Sequence, residues 1–120
     1  MGDTIILRRW AGRIRTADAA TYLAYVARTG AMDYAATPGN VGFQLASRDM
    51  GDGTTEVVTL SWWRSMEAIR LFAGEDVEIA RYYPEDDRFL VARPERVEHH
   101  EVTACRLQWP GPIGEGDGGS

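Results

Sequence analysis

The chain has 120 residues and a formal net charge of −5, with 44% hydrophobic and 26% charged residues. That length is one domain, and the balance of apolar and charged residues excludes an unstructured or membrane-embedded chain. All 13 basic residues are arginine, and the 18 acidic ones outnumber them; this argues against a nucleic-acid partner, because phosphate contacts need clustered basic side chains.

Residues 4–14, TIILRRWAGRI, mix β-branched and arginine residues and predict a first strand. Arg8, Arg9, Arg13 and Arg15 are spread across both its faces, as on a solvated strand. Thr16 and Asp18 supply N-cap oxygens for a helix over 18–29, with Tyr22, Leu23, Val26 and Ala27 at helical spacing. Gly30 is placed to close that helix in a left-handed turn. The stretch AMDYAATPGN reads as a loop, VGFQLASRD as a second strand and TEVVTLSWW as a third, with a hairpin turn at MGDGT. Ser65 caps a second helix carrying Met66, Ile69, Leu71 and Phe72, which stops at Ala73-Gly74. EDVEIARYY is expected to add a short helical piece ending before Pro84, PEDDR to lie at the surface, and FLVARPE to be extended or looped. VEHHEVTACRL has strand character, and the acidic, Gly-rich tail 110–120 is expected to be disordered beyond a domain of residues 1–109.

The order β-α-β-β-α-β is that of an α+β ferredoxin-like domain with an antiparallel sheet and helices on one face. The third strand carries Val58, Leu60 and Trp62 on one parity and Val57 and Trp63 on the other. A strand with one solvated face should alternate cleanly. Apolar side chains on both faces therefore predict a homodimer whose sheets face each other, the alternative being a monomer with loops over the second face. No run reaches the roughly 20 apolar residues of a spanning helix, so no membrane partner is expected. The start carries nothing like a signal peptide, and the single cysteine, Cys105, allows no intrachain disulfide. A cytoplasmic location follows as the expectation.

The stretch SWWRSMEAIRLFAGEDVEIARYYP, residues 61–84, resembles the antibiotic biosynthesis monooxygenase family of dimeric α+β barrels. Trp63-Arg64-Ser65 is similar to that family's strand-to-helix turn. AIRLFAG, ARYYPEDDRFL, Trp10-Ala11-Gly12 and the run Val97 to Val102 are similar to a subgroup of uncharacterised bacterial members. These pieces span residues 5 to 103. The resemblance implies the fold, the dimer and a pocket between sheet and helices, but no single reaction, since a fold hosts many chemistries. The haem-degrading members use an Asn on the first strand, a Trp on the second helix and a His one segment later. Here Phe72 and Tyr82 stand at the last two positions and Ile5 to Arg9 contains no Asn, so haem breakdown in that manner is not expected.

His99 and His100 are the candidate general bases, because imidazole titrates near neutral pH. On a strand they point to opposite faces and do not share a metal; the alternative for each is a structural, hydrogen-bonded histidine. Tyr82 is the candidate to hold or protonate a phenolic oxygen, with Tyr83 beside it; either can instead be a packing aromatic. Trp62, Trp63, Trp10 and Phe72 are candidate walls for an aromatic ligand, or simply core. Arg9, if it points inward, would steady a phenolate or enolate. No nucleotide-binding signature is present, Pro38-Gly39-Asn40-Val41-Gly42 having too few glycines. No cofactor and no metal are expected. Two functions remain open: an oxygenase without cofactor that oxidises a phenolic or quinol aromatic with O2, and a non-catalytic small-molecule-binding or accessory dimer.

Overall fold

The computed structural model describes residues 4–107, apart from the side chain of Ala31. The expected tail lies outside these residues. Strand β1 (Ile6–Arg15) is followed by a 3-10 turn and helix α1 (Ala19–Ala36), then by β2 (Asn40–Asp49) and β3 (Thr54–Trp63). Helix α2 (Met66–Ala73), a single helical turn α3 (Asp86–Phe89), and the short strands β4 (Leu90–Ala92) and β5 (Glu98–Glu101) complete it. The sheet is antiparallel in the order β2-β3-β1-β4, and β5 also pairs with β1. The fourth strand of the ferredoxin-like pattern thus arrives in two pieces along one edge of β1. β4 lies beside Arg13 and Ile14, and β5 beside Ile6 to Arg9.

Local chemistry explains the elements that were anticipated. The β2–β3 turn is closed by Asp49, which accepts from the Gly51 N–H at 2.8 Å, and by Asp52, which accepts from Thr54 N–H at 3.0 Å. Gly51 and Gly53 take φ of 82° and 90° there, where a Cβ would be strained. Ser65 accepts from Ala68 N–H at 3.1 Å and so caps α2 as expected.

Three expectations are corrected. Helix α1 does not stop at Gly30 but runs to Ala36. Tyr22, Val26, Gly30 and Tyr34 continue one buried stripe down the helix, and that packing outweighs the roughly 1 kcal/mol disadvantage of a mid-helix glycine. Residues 75–83 form no helix; they cross the end of the sheet irregularly, tied by a bridge between Ile79 and Arg96. PEDDR is not simply surface, because Asp86 is 5% exposed.

The helices cover one face of the sheet. Two clusters fill the space between. Ile14, Tyr22, Val26, Val57 and Phe89 form one, and Tyr34, Trp63, Ala68, Ile69 and Phe72 form the other. On β3 burial alternates strictly, with Thr55, Val57, Thr59, Ser61 and Trp63 buried. Val58, Leu60 and Trp62 lie half-buried on the open face.

Candidate functional site

A cavity lies between the sheet and α1, roofed by the segment after α2. β1 contributes Arg8 and Trp10, and α1 contributes Tyr22, Tyr25, Val26, Gly30 and Tyr34. Phe72 comes from α2, while Arg81, Tyr82, Tyr83 and Asp86 come from the roof. The strand residues and the buried stripe of the helix arrive by simple periodicity. Arg8 and Trp10 are two apart on a strand and share a face; Tyr22, Val26 and Gly30 are four apart on a helix and share a stripe.

Three phenol hydroxyls in the cavity, those of Tyr22, Tyr82 and Tyr83, are paired with acceptors. Tyr22 donates to Asp86 Oδ1 at 3.1 Å, and the other carboxylate oxygen accepts from Tyr83 N–H at 2.7 Å. Burial, and then the neighbouring Asp86 carboxylate, push the Tyr22 phenol well above its ordinary value. Tyr83 donates to Asp33, and burial together with that bond raises its phenol likewise. Tyr82 donates to the Pro94 carbonyl and accepts from Trp10 Nε1 at 3.0 Å; burial raises it too. At neutral pH all three are therefore donors and not phenolates.

Trp10 depends on Gly12. A Cβ at Gly12 would stand 2.5 Å from Cζ2 of Trp10. The bare backbone is what lets the indole fold along the strand toward Tyr82, edge-on to its ring at 6.2 Å between centroids.

Arg8 is the most unusual member. It is 4% exposed. Its guanidinium donates to the carbonyls of Val77, at 2.5 Å, and Ile79, at 3.3 Å, and meets His99 Nε2 at 3.2 Å. It also lies 5.8 Å from the centre of the Phe72 ring. Burial lowers the pKa of Arg8 from its ordinary value. His99 is lowered as well, first by burial and then by the Arg8 charge. A neutral imidazole with Nε2 unprotonated accepts the guanidinium N–H, which places its own proton on Nδ1.

Of the residues singled out from sequence, Trp10, Phe72, Tyr82 and Tyr83 line this cavity. Trp63 lies behind it, fully buried, with Nε1 donating to Ser61 Oγ at 2.8 Å. His99 touches it through Arg8. Arg9, Trp62 and His100 do not reach it. Arg9 is on the open face, 3.3 Å from Glu98; His100 is exposed opposite Leu7. Trp62 walls a separate, larger groove of ≈ 660 Å³ with Phe43, Val102 and Leu107. The inward arginine is thus Arg8 and not Arg9, because β1 has the register that sends Arg8, Trp10 and Gly12 toward the helices. Residues missed by sequence reasoning are Arg8, Tyr22, Tyr34 and Asp86. Counting alternate positions back from Gly12, the residue needing close approach, would have found Arg8; nothing in the sequence pairs Tyr22 with Asp86. Among the described residues no three His, Cys, Asp or Glu side chains converge.

No protein-family model matches the chain, and no curated protein matches it. Solved structures do. A candidate antibiotic biosynthesis monooxygenase from Nitrosomonas europaea superposes with a TM-score of 0.61 at 11% identity, over 86% of this chain and 94% of its own. A heme-degrading protein from Mycobacterium tuberculosis gives 0.55 at 19%, over 89% and 100%. A mutant of SnoaB, a cofactor-independent oxygenase from Streptomyces nogalater, gives 0.53 at 21%, over 92% and 100%. At these identities the likeness is one of architecture, and this chain has the α+β ferredoxin-like fold found in antibiotic biosynthesis monooxygenases.

Proposed function

We propose that this chain is an oxygenase of the antibiotic biosynthesis monooxygenase kind, oxidising a small phenol or quinol with O2 and no cofactor. The observation that carries this reading is the Tyr22–Asp86 pair in a cavity walled by Trp10, Tyr34, Phe72 and Tyr82. Such walls take an aromatic ring, and the pair takes its proton. The substrate hydroxyl donates to Tyr22 Oη while Tyr22 hands its own proton to Asp86, so a buried phenolate forms without a free base. Tyr82, held by Trp10 and Pro94, fixes one wall against the ring. The phenolate gives one electron to O2; the phenoxyl radical and superoxide combine at a ring carbon. Reprotonation gives a hydroperoxide, which loses water to leave a quinone. Phenol plus O2 becomes quinone plus water, with no external reductant.

Size limits the substrate. The cavity measures ≈ 60 Å³, whereas a pocket of about 150 Å³ accepts benzene. A single ring therefore needs the segment carrying Tyr82 and Tyr83 to yield, and a polycyclic one needs far more. The same small volume, with the hydroxyls of Tyr22, Tyr82 and Tyr83 already bonded within the protein, favours the second reading, a binding or accessory protein without turnover. An oxygen electrode separates them. One O2 should be consumed per phenol, and Asp86→Asn should slow uptake by about 10²-fold or more. Tight ligand binding with no uptake would leave only the second reading.

The open face belongs to the same proposal. Leu7, Val58, Leu60 and Trp62 are apolar and half-exposed there. We read it as the contact with a second copy, sheet against sheet. Light scattering should give twice the chain mass, and Leu60→Glu should halve it. A cytoplasmic site of action completes this reading. Among the described residues no helix is long and apolar enough to cross a membrane.

A further inference from the structure

Arg8 is a buried cation with no carboxylate partner among the described residues. Nine other arginines approach a carboxylate within 4.0 Å among the described residues, and these are all at or near the surface. Arg8, the most buried, has two carbonyls and a neutral imidazole instead. A charge taken out of water without a counter-charge is costly. Its described bonds engage three of the five N–H groups that a guanidinium offers.

Among the described residues, the other groups facing the cavity do not supply a counter-charge. From α1 come the phenols of Tyr22, Tyr25 and Tyr34, from α2 the Phe72 ring, and from β1 the Trp10 indole. Arg81, in the roof, adds a second cation and keeps its own partner, Asp33, at 3.8 Å. Asp86 is the lining carboxylate, and its two oxygens are taken by Tyr22 and the Tyr83 N–H. β5 offers His99, which is uncharged when it accepts from Arg8. The lining therefore holds two cations and one engaged anion, beside aromatic walls.

We propose that the cavity selects an aromatic ring bearing a carboxylate, with the carboxylate on Arg8 and the ring between Trp10, Phe72 and Tyr82. This rests on the reading of the cavity as a phenol site and makes its substrate class the hydroxybenzoates. A guanidinium matches a carboxylate through two parallel N–H donors, and its desolvation is already complete before the ligand arrives. His99 is a positioning residue here, holding the guanidinium in place from the β5 side.

Calorimetry under nitrogen tests this, since binding then needs no turnover. The probes are 2,5-dihydroxybenzoate, its neutral amide and hydroquinone, with the full chain. The acid should bind at least tenfold more tightly than the amide, and Arg8→Gln should remove that preference. Arg8→Lys should keep part of it, and Arg9→Gln should leave it intact. Each variant's melting curve reports whether it folds; should Arg8→Gln not fold, the wild-type ratio and Arg8→Lys decide. Equal affinity for acid and amide, no binding of the acid, or a preference that survives Arg8→Gln overturns the proposal. Selective acid binding without oxygen uptake sustains it while removing the oxygenase.

Discussion

The two faces of this sheet receive the same residue types and use them differently. Three doublets show it. Trp63, Arg8 and His99 point toward the helices, while Trp62, Arg9 and His100 point away. Inward, the tryptophan is wholly buried and packs edge-on to Tyr34 in its cluster, the arginine is desolvated and the histidine's pKa is depressed. Outward, the arginine makes an ordinary exposed pair with Glu98, a contact type worth about 0–1 kcal/mol. Adjacent identical residues thus become a core or site group and a surface group, purely through the two-residue period of a strand.

The largest break in this comparison should come from the tryptophans. Trp63→Ala should cost about 3–5 kcal/mol in denaturant unfolding, the range for a buried aromatic truncated to alanine. Trp62→Ala should cost the monomer far less and act on the scattering mass. If the two changes destabilise equally, the open face is not open.

A smaller effect is expected at Gly12. Gly12→Ala sets a methyl against the Trp10 ring, and overpacking of this kind costs about 1–3 kcal/mol. The displaced indole also loses its bond to Tyr82, so turnover or ligand binding should fall more than stability does. Binding that tracks stability alone would remove Trp10 from the site.

Gly30→Ala should run the other way. A Cβ there meets Val26 Cγ1 at 3.5 Å, an ordinary contact, and Tyr34 Cε2 at 4.0 Å. Helix propensity then adds up to about 1 kcal/mol of stability, while the methyl narrows the cavity. A thermal melt that rises together with weaker ligand binding is the expected pair of results.

The smallest effect is the acid response of the inward histidine. Its folded pKa lies below the ordinary 6.5, through burial and then Arg8. The unfolded chain therefore takes up the proton first as pH falls. Stability should decline from about pH 6.5 down to the folded value and then level off for this group. His99→Asn should flatten that slope in pH-dependent unfolding, and His100→Asn should leave it unchanged.

These expectations divide according to how far apart in the chain their causes lie. The cap at Ser65, the hairpin at Gly51 and Gly53, the strands and the apolar pattern of β3 all act over a few residues, and each was readable from sequence. Alternation showed that Trp62 and Trp63, or His99 and His100, must diverge. It did not show which of each pair turns inward. The helical period of α1 is visible in the sequence, but the point where it ends is not, because Tyr34 packing on Trp63 and Phe72 carries the helix past Gly30. The 75–83 segment has helical spacing and forms no helix, since Arg8 and the bridge at Arg96 hold its backbone across the end of the sheet.

The sequence by itself determined a one-domain α+β chain with a β-α-β-β-α-β order and two apolar sheet faces, because periodicity, caps and turns are local. Only the tertiary structure decided that Arg8 and not Arg9 is the buried cation, and that Asp86 meets Tyr22 across 64 positions of chain. The parity of a strand is set by what packs on it, and pairing between distant side chains is set by the register of whole elements. Neither is written in the residues on either side.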